Sequence, residues 1–368
     1  MKIKRSLPVI ISGALLGLVG VFLMLRGNPG NMGFCIACFI RDTAGALKLH
    51  QAPVVQYARP EIIGLVLGSF IISLVRREFK AQGGSSPLLR LLMGAILMIS
   101  ALVFLGCPLR MVLRMAAGDL SAYVGLVGFV AGVFIGVVFL KRGFSLSRTY
   151  AQPVLNGYIM PAFQLVMLIL LVTGSSLLAY STEGPGSMHA PLFLAFGLAL
   201  ILGVLNQQTR ICQAGGFRDV FLIRDFHLFW GGLAIFVAAL IANLVANKFA
   251  IVQYGPIAHQ DHLWNFLSMV PVGLASTLLG GCPMRQLILS GTGNTDSAIT
   301  IIGMALGAAA SHNFGLASAP NKLDEAGQLV GGPTAAGKIA VIIGLIILIG
   351  IGLMKRQTET AAKPHKVS

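Results

Sequence analysis

Apolar runs of about 18 residues or more recur along this chain, and they restrict its fold more than any other feature. Such a run, wound as a helix rising 1.5 Å per residue, crosses a hydrocarbon core of roughly 30 Å, and a bilayer admits only helices and closed barrels. Of 368 residues, 56% are hydrophobic and only 11% are charged, as expected of an all-α polytopic membrane protein. The net charge of +15 would suit a nucleic-acid binder, but the basic residues sit in short loops and tails beside apolar runs. They read as topology signals, with lipid as the surroundings and no nucleic acid as partner.

The apolar pattern predicts ten long helices, near 7–26, 60–76, 88–106, 121–140, 160–181, 190–206, 228–247, 264–281, 297–312 and 338–354. The first has a basic start but no small-residue cleavage site after it, and reads as a retained helix. Four segments near 34–48, 108–118, 211–224 and 283–292 are too short to span and are expected to be re-entrant half-helices. Positive-inside counting puts the N-terminus (Lys2, Lys4, Arg5), the 76–90 loop (Arg76, Arg77, Lys80, Arg90), the 141–153 loop (Lys141, Arg142, Arg148) and the tail from Lys355 in the cytoplasm. The loops near 182–190, 248–262 and 313–337, with Glu183, Asp261, Asp324 and Glu325, fall outside. Both termini are therefore predicted to be cytoplasmic.

Four of the five cysteines lie in a pattern written twice. The first copy reads CIACFIRD from Cys35 to Asp42 and GCPLR from Gly106 to Arg110; the second reads CQAGGFRD from Cys212 to Asp219 and GCPMR from Gly281 to Arg285. The copies are offset by 177 positions at the first motif and 175 at the second, and Gly118, Gly128 and Gly132 recur as Gly293, Gly303 and Gly307. Five spans separate equivalent helices, so the repeat is expected to be inverted. The resulting divisions are a first repeat over 1–150, a connecting helix over 151–185, a second repeat over 186–336, and a final helix and tail over 337–368. Small residues four apart have a simple role in close helix packing.

The GCP motifs read as helix starts. Proline is tolerated at the first helical position, so Pro108 and Pro283 would follow Cys107 and Cys282 at N-caps, and Gly106 and Gly281 would allow a sharp break from the preceding span. Free N–H groups and the positive end of the helix dipole then favour an anion beside the thiol. Arg41, Arg110, Arg218 and Arg285 recur at matching positions and add positive potential. An unpaired arginine at the bilayer centre costs about 3 kcal/mol on insertion scales. Asp42 and Asp219 follow two of these arginines, so a structural ion pair is the simple reading, although neighbours on a helix do not face one another and partners can also lie on other segments.

A rival reading takes Cys35 and Cys38 as a redox dithiol relaying electrons or sulfur. The position equivalent to Cys38 is Gly215, and no βαβ pattern surrounds the pair. The seven histidines are scattered, which argues against a metal site. No phosphate-cradling loop and no serine or acid/base constellation is present, so neither an enzymatic centre nor a cofactor is expected. Trp230 and Trp264 begin long helices as interfacial anchors, and His312 ends one, either as an interfacial residue or as a proton-handling group.

At these motifs the chain resembles the YeeE/YedE family of bacterial inner-membrane proteins, and within it the YedE branch associated with selenium metabolism. The resemblance extends from about residue 10 to 350. It implies an hourglass of inverted halves in which re-entrant helices carry cysteines along a path for a small sulfur- or selenium-containing anion such as thiosulfate. Matching motifs place the path on Cys35, Cys107 and Cys282, with Cys212 in the second entry motif. The resemblance also implies uptake across the bacterial inner membrane, with a TusA-like sulfurtransferase as cytoplasmic receiver. A third possibility is a membrane scaffold for a chalcogen-transfer enzyme, which would tolerate loss of every cysteine.

Overall fold

The computed structural model describes residues 2–146 and 149–354, without the side chains of 2–4. Arg148, the tail from Lys355, and the side chains of Lys2 and Lys4, all counted above as cytoplasmic charge, therefore lie outside the described residues. In chain order the helices are α1 (Lys2–Leu25), short α2 (Ile36–Ala46), α3 (Pro60–Val75), α4 (Pro87–Val103), short α5 (Pro108–Met115) and α6 (Leu120–Lys141). Next come α7 (Val154–Val172) and the single turn α8 (Gly184–Ser187). The second series is α9 (Leu192–Thr209), short α10 (Gln213–Ile223), α11 (His227–Val245), α12 (His262–Leu278), short α13 (Pro283–Gly291) and α14 (Thr295–Asn313), followed by α15 (Ala335–Leu353).

The protein is an all-α polytopic membrane protein. Among the described residues, eight helical stretches are long and apolar enough to cross a bilayer, three of them running on through α5, α10 or α13. Of the other two long helices, α3 has only 16 residues and α14 is more polar, with buried Asp296, Thr300 and Ser311. The largest departure from the sequence expectation is α7, which begins at Val154 and ends at Val172 instead of spanning 160–181. Pro161 is accommodated inside the helix, and Gly174, in a left-handed conformation with φ of 60°, turns the chain soon after Thr173.

Packing exchanges the two series. Helix α1 lies against α11 while its counterpart α9 lies against α3; α6 lies against α12 while α14 lies against α4. A Cβ at Gly128 or Gly132 would run into the backbone of α12, and one at Gly303 or Gly307 into that of α4, so the repeated glycines are close-packing positions. The loops fall into two sets. Gln82 and Gly83 (β1) pair with Tyr150 and Ala151 (β2), and Gln82 also bridges to Asn294, all within the basic set. Asp119, equivalent to Asn294, bridges instead to Val252 in the other set. A ribbon of β3 (Ala319–Leu323) and β4 (Leu329–Gly332) joins that second set through Asn321 N–H and the Ala258 carbonyl.

Candidate functional site

Each short helix begins at a cysteine. Cys35, Cys107, Cys212 and Cys282 are the N-caps of α2, α5, α10 and α13, and Pro108 and Pro283 occupy first-turn positions as expected. The left-handed residue at each break comes one position earlier than the expected glycine: Leu105 (φ 62°) and Gly280 (φ 83°), not Gly106 and Gly281. The motif glycines have another task. A Cβ at Gly106 would crowd the Arg110 side chain and one at Gly281 that of Arg285, so each makes room for the arginine four residues on.

The four caps meet in two pairs. The Cys35 and Cys107 side chains lie close together, as do those of Cys212 and Cys282, and the Cys282 N–H donates to the Cys212 sulfur at 3.3 Å. Cys35 and Cys212 also accept from the N–H groups of Cys38 and Gly215, each at 3.3 Å. Two helix N-termini thus converge on each thiol pair, focusing free N–H groups and positive helix ends on one place. All five cysteines belong to one buried core; Cys212, at 6%, is the most exposed. Helix α2 touches α13, and α5 touches α10, so the short helices of the two halves meet.

Cys38 is part of the first site, with its sulfur 2.7 Å from that of Cys35 and 3.9 Å from the Arg110 guanidinium. Sequence comparison of the halves had set it aside because Gly215 stands in its place. The i, i+3 spacing across a helix start was the signal that could have included it.

The four motif arginines divide into two behaviours. Arg41 pairs with the adjacent Asp42 at 2.6 Å, and Arg59 holds the other carboxylate oxygen at 2.7 Å. Arg218 likewise pairs with Asp219 at 2.8 Å. The simple reading of structural ion pairs thus holds, because the long arginine side chain can fold back along the helix to reach the next residue, and Arg59 adds a partner from another segment. Arg110 is fully buried among carbonyls of Leu105, Asn31, Pro256 and Ile257 and has no carboxylate partner among the described residues. Its counterpart Arg285 contacts Gln207 at 3.4 Å and lines a cavity of about 660 Å³.

That cavity reaches Cys212. Arg5, Arg76, Arg210 and Arg218 also line it, against the acids Asp219 and Asp225. Arginine therefore predominates around an opening from the basic-loop side, which suits an anion. Sequence reasoning missed Arg59 and Arg114. Arg114 is buried with Asp119 at 2.7 Å and Ser121 at 2.6 Å, and its guanidinium lies 4.4 Å from the Phe104 ring centre. A charge inside a short apolar segment was the available signal. His312 lies against His50 with ring centres 4.6 Å apart and ring planes tilted by 32°. Among the described residues, no group of three or more His, Cys, Asp or Glu could hold a metal ion.

Fold and site together define a multi-pass membrane protein with paired buried thiols at converging helix starts and an arginine-lined approach. The family described as sulphur transport matches residues 208–368, somewhat under half of the chain. Similarity extends to a thiosulfate transporter, TsuA, of Spirochaeta thermophila, 27% identical over 184 residues, covering 44% of this chain and 55% of the relative. It also extends to thiosulfate transporter TsuA of Escherichia coli, 28% identical over 105 residues, covering 27% of this chain and 28% of the relative. The chain thus matches about half the length of the first relative and less of the second.

Proposed function

We propose that the protein is a permease that imports a small sulfur-containing anion of the thiosulfate type across the bacterial inner membrane, along Cys35, Cys107, Cys282 and Cys212. The observation that carries this reading is the meeting of two helix N-termini at each of two thiol pairs. Thiol S–H groups are weak donors and the N–H groups around them are fixed, so an anion with a polarizable outer sulfur is held briefly and can leave. The arginine-lined cavity at Cys212 supports an exit toward the cytoplasm, and the relatives' names support the substrate class.

In this reading the halves are inverted about an axis in the membrane plane. The exchanged helix pairings, and the separation of Asp119 from Asn294, support that arrangement. Both termini face the cytoplasm, where a TusA-like sulfurtransferase would receive the anion. Selenium analogues suit the same thiols by their polarizability, and the choice of selenium rests on the resemblance to the YedE branch. Competition tests the substrate class: unlabelled thiosulfate and selenosulfate should suppress uptake of radiolabelled thiosulfate into proteoliposomes, while sulfate, which lacks the outer sulfur, should not. Equal competition by sulfate would remove the role given to the thiols.

A second reading is favoured by the 2.7 Å approach of Cys35 and Cys38, which suits a dithiol relay. It requires Cys38→Ala to abolish function as fully as Cys107→Ala, whereas the permease reading requires only a partial loss.

A further inference from the structure

Three buried carboxylates have cationic partners. Asp42 is held by Arg41 and Arg59, Asp119 by Arg114, and Asp296 by Arg90 and the N–H groups of Gly84 and Ser85. Glu61, in the first turn of α3 and 1% exposed, does not follow this pattern. Its Oε1 accepts from the Asn28 amide at 2.6 Å, and its Oε2 has no hydrogen-bond partner. Arg59, two residues earlier, spends its guanidinium on Asp42 and on the carbonyls of Pro185 and Met188. A buried carboxylate supported by one neutral amide bears most of the cost of burying its charge, and a protonated carboxyl does not. Its own backbone N–H and the start of α3 give partial support to the ionised form, so both states are accessible.

Asn28 connects this carboxyl to the thiols. The same amide nitrogen donates to the Gly33 carbonyl at 3.1 Å, two residues before Cys35, and the Asn28 oxygen accepts from Ala190 N–H at 2.8 Å. The charged groups facing Glu61 are Arg59 and Asp42, with Arg41 beyond them on α2; the titratable neighbours are Tyr57 and His189, stacked at 4.4 Å. With Glu61 ionised, two arginines and two carboxylates cancel. With Glu61 protonated, one positive charge is left over in the Arg41–Asp42–Arg59 cluster that joins α2, the helix of Cys35 and Cys38, to the start of α3. The counterpart helix α11 has no acid in its first turn, so the arrangement belongs to one half only.

We propose that Glu61 is a proton-binding site coupled to anion occupancy at the Cys35–Cys107 pair. A proton from water joins the free Oε2 as the anion arrives and returns to water as the anion leaves; no other bond forms or breaks. The inference rests on the permease reading and adds a coupling ion to it. By reciprocity, acid tightens anion binding by the factor by which the anion tightens proton binding, a factor of about 5 to 150 for typical coupled sites.

Calorimetric titration of the purified full chain with thiosulfate, in buffers of different ionisation heat, counts the protons taken up on binding. The wild type should take up protons near neutral pH and bind roughly tenfold tighter at the acid end of its stable range than at the alkaline end. Glu61→Gln should bind with no proton uptake and an affinity independent of pH. Binding without proton uptake by the wild type overturns the proposal and leaves the permease reading standing. Retained uptake in Glu61→Gln overturns it too, and would move the proton to the His50–His312 pair. If Glu61→Gln fails to fold, the wild-type heats and a shifted pH midpoint in Glu61→Asp decide. Failure of the wild type to bind thiosulfate at any pH overturns the permease reading, and this proposal with it.

Discussion

The backbone N–H of Cys282 points at the sulfur of Cys212 across 3.3 Å, although 70 positions separate the two residues in sequence. The contact exists because each cysteine begins a short helix and the two helices start at the same point. Cys35 and Cys107 also meet as helix starts in the other half, where the N–H donor to the Cys35 sulfur is that of Cys38. An anion reaching either pair meets weak thiol donors backed by two positive helix ends, with Arg110 beside the first pair and Arg285 on the cavity that reaches the second.

Cys212 should be the most reactive of the five thiols. It alone borders the arginine-lined cavity, and it is the most exposed at 6%. Labelling with a membrane-impermeant maleimide on oriented vesicles should modify Cys212 first, from the basic-loop side, and thiosulfate should slow the reaction. Faster labelling of Cys35 would reverse the assignment of the open side.

The two matching arginines should fail differently. Arg110→Met leaves carbonyls of Leu105, Asn31, Pro256 and Ile257 buried without a donor, at about 1–3 kcal/mol each where no water replaces it, so thermal stability in detergent should fall sharply. Arg285→Gln removes a charge from a cavity wall and leaves the fold intact. Anion affinity should drop by about tenfold at low salt, and by less as salt screens the site.

Asp42→Asn should destabilise the protein by roughly 3–5 kcal/mol, because it leaves Arg41 and Arg59 buried with only a neutral amide between them. Thermal unfolding followed by tryptophan fluorescence measures the loss. Asp219→Asn, whose partner Arg218 is partly exposed, should cost about 1 kcal/mol or less.

His259, in the loop before α12, sets a pH dependence. Its Nε2–H donates to the Val103 carbonyl at 2.9 Å, and burial pushes its pKa down to about 4. The unfolded chain then binds more protons than the folded one between pH about 6.5 and about 4, so stability is full above that window and falls through it on acidification. The loss is at most about 3 kcal/mol. Unfolding temperatures of wild type and His259→Gln at neutral pH and at pH about 4.5 should show a smaller acid-induced drop in the variant. An identical drop would place the proton elsewhere.

The element map was largely legible because long apolar runs and proline after cysteine are local signals. The four short helices fall where the motifs placed them, and only α7 is displaced, because Pro161 is tolerated within it. What escaped was long-range. Arg59 and Glu61 flank Pro60 at a helix start, and nothing local distinguishes the acid with a cationic partner from the acid without one. Their difference depends on Asp42 and Asn28, brought together from other segments. The break before each GCP motif also moved by one position, because Gly106 and Gly281 make room for arginines instead of supplying the turn.

The most direct measurement is uptake of radiolabelled thiosulfate into proteoliposomes by the intact protein, Cys107→Ala, Cys282→Ala and Cys38→Ala. The account predicts accumulation by the intact protein, its loss in the first two variants, and partial retention in the third. Uptake that survives removal of both Cys107 and Cys282, or no uptake by the intact protein, would contradict it.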